Sequence, residues 1–167
     1  MKGKKLMSNA NEKIKLDSYY TLSSHQLIDE KKVDTLLAPV MIVGSPRSGT
    51  TWLQRLLLEN EHVCGGQESF FYALFNEAFI SVKDTANERR IGLSAYWECG
   101  EFNEQMRELW VRTFLPVLEN KPKATVLLEK TPFHALFMDD ISVFLPKTKF
   151  IHLIRDSRSV TASFNAA

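Results

Sequence analysis

The chain has 167 residues, 44% apolar and 25% charged, with a formal net charge of +1. Such a chain is long enough for one domain with a real core, and its charge balance excludes a general nucleic-acid binder, so any basic site must be local. Two cysteines, Cys64 and Cys99, are too few for a disulfide framework and form no C-x-x-C, which removes the usual zinc and redox readings.

Residues 1–16 carry Lys2, Lys4, Lys5, Lys13 and Lys15 with no apolar segment behind them. They read as a basic, disordered tail rather than a secretory signal. No apolar run approaches the roughly 20 residues of a transmembrane helix, so the expected setting is cytoplasmic, with neither membrane nor nucleic acid as a partner. The folded domain is expected over 17–167. Ser23 and Gln26 make a capping-box pattern, and Leu27, Ile28, Val33, Leu36 and Leu37 follow at helical spacing.

Residues 40–43 are a short apolar run ending at Gly44, the pattern of a buried strand. Residues 44–51, GSPRSGTT, supply two glycines and a proline for a sharp loop, and Trp52, Leu53, Leu56 and Leu57 then recur as on a helix. A loop between a strand's carboxyl end and a helix's amino end presents free N–H groups and a positive dipole, which suits a phosphate. The spacing approximates the P-loop G-x-x-x-x-G-K-[ST]. Gly44, Gly49 and Thr51 are in place, but Thr50 holds the lysine position and the cation sits at Arg47. A nucleoside triphosphatase needs that lysine and a metal-holding aspartate. The loop is therefore expected to hold a phosphate that is handled differently.

Residues 62–69, HVCGGQES, read as a turn leading into a segment with Phe71, Leu74, Phe75, Ala78 and Phe79 on one face. Residues 83–94 read as a polar surface loop, with Arg89 and Arg90 in solvent. A long helix follows, striped by Phe102, Met106, Leu109, Trp110, Phe114 and Val117 and ended by Asn120, Lys121 and Pro122. The strand–turn–helix pattern then returns twice. The first return is a strand over 124–128, a turn over 129–132 and a helix over 133–145. Thr131 suits its N-cap, Pro132 its first position, and Phe133, Leu136, Phe137, Ile141 and Phe144 its buried face. The second is a strand over 149–154, a turn at Arg155 and Asp156, and a helix from Ser157 that Asp156 is expected to cap.

Strands alternating with helices predict an α/β fold, a P-loop-like three-layer domain with a parallel sheet flanked by helices. Ligands of such sheets bind beyond the carboxyl ends of the strands, so Arg47, Lys130 and Arg155 are expected to converge on one crevice. Three parallel strands and a last helix cut after a turn or two lead us to expect only the N-terminal part of a domain, from a fragment or an early-terminated reading frame.

Three blocks also resemble one family. SPRSGTTWLQRLL resembles the 5′-phosphosulfate loop of sulfotransferases that use 3′-phosphoadenylyl sulfate (PAPS). FIHLIRDSRSVTASF, residues 150–164, resembles their 3′-phosphate segment, in which an arginine is followed eight positions later by a serine, here Arg155 and Ser163. LLEKTPF is similar to the family's lysine-bearing strand end. The resemblance implies in-line transfer of the sulfuryl group from PAPS to a hydroxyl or amine acceptor, without a metal. It places Arg47, Ser48, Gly49, Thr50 and Thr51 on the 5′-phosphosulfate, Arg155 and Ser163 on the 3′-phosphate, and Lys130 on the bridging oxygen or transferring sulfonate. Arg47, Lys130 and Glu68 are its catalytic group.

The base separates branches of the family. Cytosolic small-molecule sulfotransferases carry a histidine two residues after the lysine, where this chain has Pro132. VCGGQES is similar to the tyrosylprotein segment and puts Glu68 at the glutamate position, with Gly65 and Gly66 letting the backbone turn the carboxylate toward the crevice. His134 is the reserve base, and His152, inside a strand, is structural. The chain thus resembles the tyrosylprotein, heparan-type and bacterial enzymes more than the cytosolic ones. Two other readings stay open: a truncated, non-catalytic nucleotide-binding fragment, since the family's later G-x-x-G-x-x-K segment is missing, and a P-loop kinase or nucleoside triphosphatase. The acceptor is not legible.

Overall fold

A computed structural model describes residues 21–22, 26–83 and 92–166. The 1–16 tail, Ser23, Arg89 and Arg90 lie outside the described residues. A two-residue antiparallel pair, β1 (Thr21–Leu22) and β2 (Gln26–Leu27), precedes α1 (Glu30–Leu36). Then come β3 (Val40–Gly44), α2 (Thr50–Leu58), β4 (Val63–Gly65), α3 (Phe71–Lys83), a 3₁₀ turn (Gly92–Ala95) and α4 (Cys99–Glu119). The remainder is β5 (Val126–Lys130), a second 3₁₀ segment (Pro132–Phe137), α5 (Met138–Phe144), β6 (Lys149–Leu153) and α6 (Ser157–Asn165).

The main sheet has the order β4-β5-β3-β6, and every pairing in it is parallel. It is a mixed α/β domain with a parallel sheet flanked by helices, as the alternation of patterns predicts. Side chains alternate across each strand. Met41, Val43, Cys64 and Leu127 face a core shared with α1, α3, α4 and α5, whose largest buried members include Trp110 and Phe144. Ile42 and Leu128, just as buried, belong to the opposite face. Among the described residues no helix is long and apolar enough to cross a membrane.

Several expectations need correction. The first helix starts at Glu30, capped by the Asp29 carboxylate on Lys31 N, while Gln26 and Leu27 are extended. Residues 63–65 are a fourth strand and not part of a turn. Gly65 pairs with Leu128, and a Cβ there would run into the Leu128 carbonyl oxygen, so this glycine serves close strand approach. A Cβ on Gly66 would meet nothing within 4 Å. β5 begins later than its apolar run suggests and takes in Glu129 and Lys130.

Helix faces also shift. On α2 the buried side chains are Thr50 and Gln54, and Trp52 and Leu56 are exposed. On α3 Tyr72 and Val82 are buried and Leu74 faces solvent. α4 buries the strict four-residue row Phe102, Met106, Trp110, Phe114 and Leu118, and leaves Leu109 exposed. The segment after Pro132 is 3₁₀ before it is α-helical. In a 3₁₀ turn residues i and i+3 eclipse, so His134 and Phe137 turn inward while Phe133 and Leu136 turn out.

Candidate active site at the carboxyl edge of the sheet

The register aligns the ends of three neighbouring strands. Ile42 pairs with both Lys130 and Ile151, and Gly44 pairs with Leu153. Gly44 takes φ 149°, and a Cβ there would lie 2.5 Å from the Leu153 oxygen, so only glycine lets β3 leave the sheet at this point. Ser48 N closes the turn on the Ser45 carbonyl at 3.1 Å. Arg47 (φ 68°) and Gly49 (φ 104°) reverse the chain, and Gly49 is the N-cap of α2. The first N–H groups of a helix have no partner within it, and here they open at the sheet's carboxyl edge beside the loop.

Two polar clusters meet this loop. In one, Arg47 Nε donates to Ser163 Oγ at 3.0 Å, and an Arg155 guanidinium N–H donates to the Arg47 carbonyl at 3.0 Å. In the other, Lys130 Nζ donates to Thr51 Oγ1 at 3.3 Å and forms an ion pair with Glu68. Lys130 is buried and Glu68 reaches solvent. Lys130, Arg155 and Ser163 therefore each contact the 47–51 loop directly and Glu68 reaches it through Lys130, although Arg47 and Ser163 are 116 residues apart. Ser48 is buried, and its Oγ has no hydrogen-bond partner.

Other polar residues fall elsewhere. Asp156 caps α6, accepting from Arg158 N and Ser159 N, and it also pairs with the Arg158 side chain. The Arg158 hydrogen bond, then the capping bonds, hold the Asp156 carboxyl below its ordinary range. His134 is wholly buried, its Nδ1 3.2 Å from Glu129 Oε2, and its Nε2 is unpartnered. It does not line the crevice. His152 is exposed on the edge strand β6. Glu129 and Ser69, both next to site residues, escaped the sequence reading. An acidic residue directly following an apolar strand run was the available signal, and it reads equally as a turn.

A groove of about 570 Å³ lies instead at the amino ends of β4 and β5, beside His62, Thr125 and Lys123. It touches none of the site residues, and two of its lysines are spent on Glu119 and Glu61.

A parallel sheet with a glycine-turned strand–loop–helix and cations gathered past its carboxyl edge has the form of an α/β domain that handles anions. The family model described as the sulfotransferase family matches residues 39–167, and the chain belongs to that family. A search of curated proteins returned no match.

Proposed function

We propose that this domain transfers a sulfuryl group from PAPS to a hydroxyl or amine acceptor by in-line displacement. The observation that carries the reading is the meeting of Arg47, Arg155 and Ser163 on one side of the loop with Lys130, Thr51 and Glu68 on the other. The donor has two anionic ends, a 5′-phosphosulfate and a 3′-phosphate, and the two clusters supply one set of donors for each.

In this reading Ser48, Gly49, Thr50 and Thr51 hold the 5′-phosphosulfate with hydroxyls and with the N–H groups at the start of α2. Ser48 Oγ is buried without a partner, and a desolvated hydroxyl is a donor whose cost a phosphate oxygen would relieve. Arg155 and Ser163 take the 3′-phosphate. That assignment requires Ser163 to exchange its Arg47 contact for phosphate, which frees Arg47 to turn to the 5′ end.

The reaction forms a bond from the acceptor oxygen or nitrogen to sulfur and breaks the bond from sulfur to the 5′-phosphate oxygen. Negative charge grows on that phosphate as adenosine 3′,5′-bisphosphate leaves. Lys130 and Arg47 are fixed cations where the charge develops, and such preorganised groups stabilise a transition state without reorganising. Glu68 accepts the acceptor's proton. Its ion pair keeps Lys130 beside the point of transfer.

Calorimetry with adenosine 3′,5′-bisphosphate tests the reading. Wild type should bind it, and bind it more tightly than ATP with Mg²⁺. Arg155→Ala should weaken binding by about 10-fold to 100-fold, as expected for loss of a charge-assisted hydrogen bond worth roughly 1.5–3 kcal/mol. Equal heats for the two proteins would sink the assignment of Arg155. Preference for ATP with Mg²⁺ would turn the reading toward a kinase or nucleoside triphosphatase.

A further inference from the structure

The segment joining β4 to α3 passes the carboxyl end of β5, where two consecutive β5 residues hold two consecutive residues of it. Neighbouring side chains of a strand point to opposite faces, so Glu129 and Lys130 work on different sides of the sheet. Lys130, on the α2 side, pairs with Glu68. Glu129, on the core side, accepts through Oε1 from Ser69 Oγ (2.8 Å), Ser69 N (3.4 Å) and Thr131 Oγ1 (2.5 Å), and its Oε2 meets His134 Nδ1. Thr131 Oγ1 accepts in turn from Phe70 N at 3.2 Å, and Ser69 Oγ accepts from Phe71 N at 3.1 Å.

Phe70 is held at φ 52°, a left-handed conformation that a bulky residue adopts only where its surroundings impose it. Its carbonyl accepts from Leu74 N at 2.8 Å to start α3. Glu129 is 2% exposed, and Thr131 and His134 are 0% exposed. A carboxylate buried to that degree persists only where several donors compensate it.

We propose that Glu129, braced by Thr131 and His134, is a positioning residue. By fixing Ser69 and the strained Phe70 on one side of β5, it sets where Glu68 meets Lys130 on the other. The arrangement also locks register: a slip of one residue would bring Glu68 against the buried Glu129, placing two carboxylates together. The part of this inference that makes Glu68 a base rests on the sulfuryl-transfer reading. The grip on residues 68–70 does not.

Acetic anhydride labelling, followed lysine by lysine with peptide mass spectrometry, reads the Glu68–Lys130 contact without any substrate. Lys130, with a side chain 5% exposed, should label slowly in wild type. Ser69→Ala removes one donor and leaves Glu129 with Thr131 and His134. It should speed Lys130 labelling by about fivefold or more, the effect of one lost hydrogen bond. Glu68→Ala should do at least as much, and the double variant should be no faster than Glu68→Ala alone. Glu129→Gln keeps an acceptor oxygen for Ser69 and should fall between wild type and Ser69→Ala. Unchanged hydrogen exchange in α4 checks the fold in each variant. Wild-type labelling in both Ser69→Ala and Glu129→Gln, or an Ser69→Ala effect that adds fully to that of Glu68→Ala, overturns the proposal. A wild-type protein that fails to bind adenosine 3′,5′-bisphosphate would instead count against the functional reading, and the labelling result would stand.

Discussion

Ser48 carries an energetic cost in the free protein. Its side chain is buried and its Oγ finds no partner, with Gly44 close enough that an added Cβ would approach the hydroxyl at 3.3 Å. A buried unsatisfied hydroxyl costs about 1–3 kcal/mol, so removing it should not harm the fold. Ser48→Ala is therefore expected to melt at or above the wild-type temperature. In the sulfuryl-transfer reading the same change weakens adenosine 3′,5′-bisphosphate by about fivefold to tenfold, the worth of one hydrogen bond of roughly 1 kcal/mol. Melting curves and calorimetry on one preparation test both halves, and a destabilised variant with unchanged affinity would contradict the assignment. Ser48 was legible beforehand because it sits inside a spaced motif, as Arg47, Thr50 and Thr51 do. Glu129 was not, because nothing local distinguishes a buried acceptor from a turn carboxylate. Its partners Ser69 and His134 are 60 and 5 residues away, and only the fold brings all three together.

The helices hold this edge in place through α4, whose buried row centres on Trp110. That ring packs edge-on to Phe71 at 5.1 Å and against Phe114 at 4.2 Å, and its Nε1 donates to the Leu36 carbonyl at 2.8 Å. Leu36 ends α1, where the last carbonyls lack helical partners, so one indole both fills the core and satisfies a helix terminus. Trp110→Ala should cost about 3–5 kcal/mol by loss of buried surface and creation of a cavity, measured by urea unfolding. Trp110→Phe should cost less and isolate the hydrogen bond. Neither touches the crevice, so affinity for adenosine 3′,5′-bisphosphate should hold wherever the variant is folded. The four-residue row of α4 was readable because a long helix repeats its period often enough to average out an outlier such as Leu109. Short elements do not repeat. Three residues of β4 carry no period, and the seven of α1 leave its start to a cap, Asp29, that competes with Ser23 in the sequence. The segment from Pro132 has an apolar residue at nearly every position, which fits an α and a 3₁₀ period alike. What decides is tertiary: Glu129 draws His134 and Thr131 inward.

Taken whole, the molecule depends on one strand order. With β5, β3 and β6 adjacent, three loops separated by most of the chain open on one edge, and cations collect there although the chain as a whole is nearly neutral. This arrangement has a consequence in acid. Protonating the 20 Asp and Glu side chains leaves 21 Lys and Arg and 4 His uncompensated, a general repulsion that weakens any compact state. Glu129 adds a specific contribution. Burial alone would raise its pKa, but the His134 hydrogen bond and charge, with the Thr131 and Ser69 hydroxyls, outweigh burial and hold the carboxyl below its ordinary value of 4.5. The folded protein then binds this proton more weakly than the unfolded chain, so protonation favours unfolding. Glu129's stabilisation is complete above pH 4.5 and is lost as the pH falls through its depressed folded value. Asp156, depressed in the same direction, is exposed and contributes little by comparison. Glu129→Gln should melt lower than wild type at neutral pH, because it loses a charged acceptor in a buried network. Its melting temperature should fall less steeply than wild type's below pH 4.5, and the two curves should approach each other in acid. Parallel curves throughout would mean that Glu129 titrates alike in both states, and that its buried network holds the loop without linking the fold to pH.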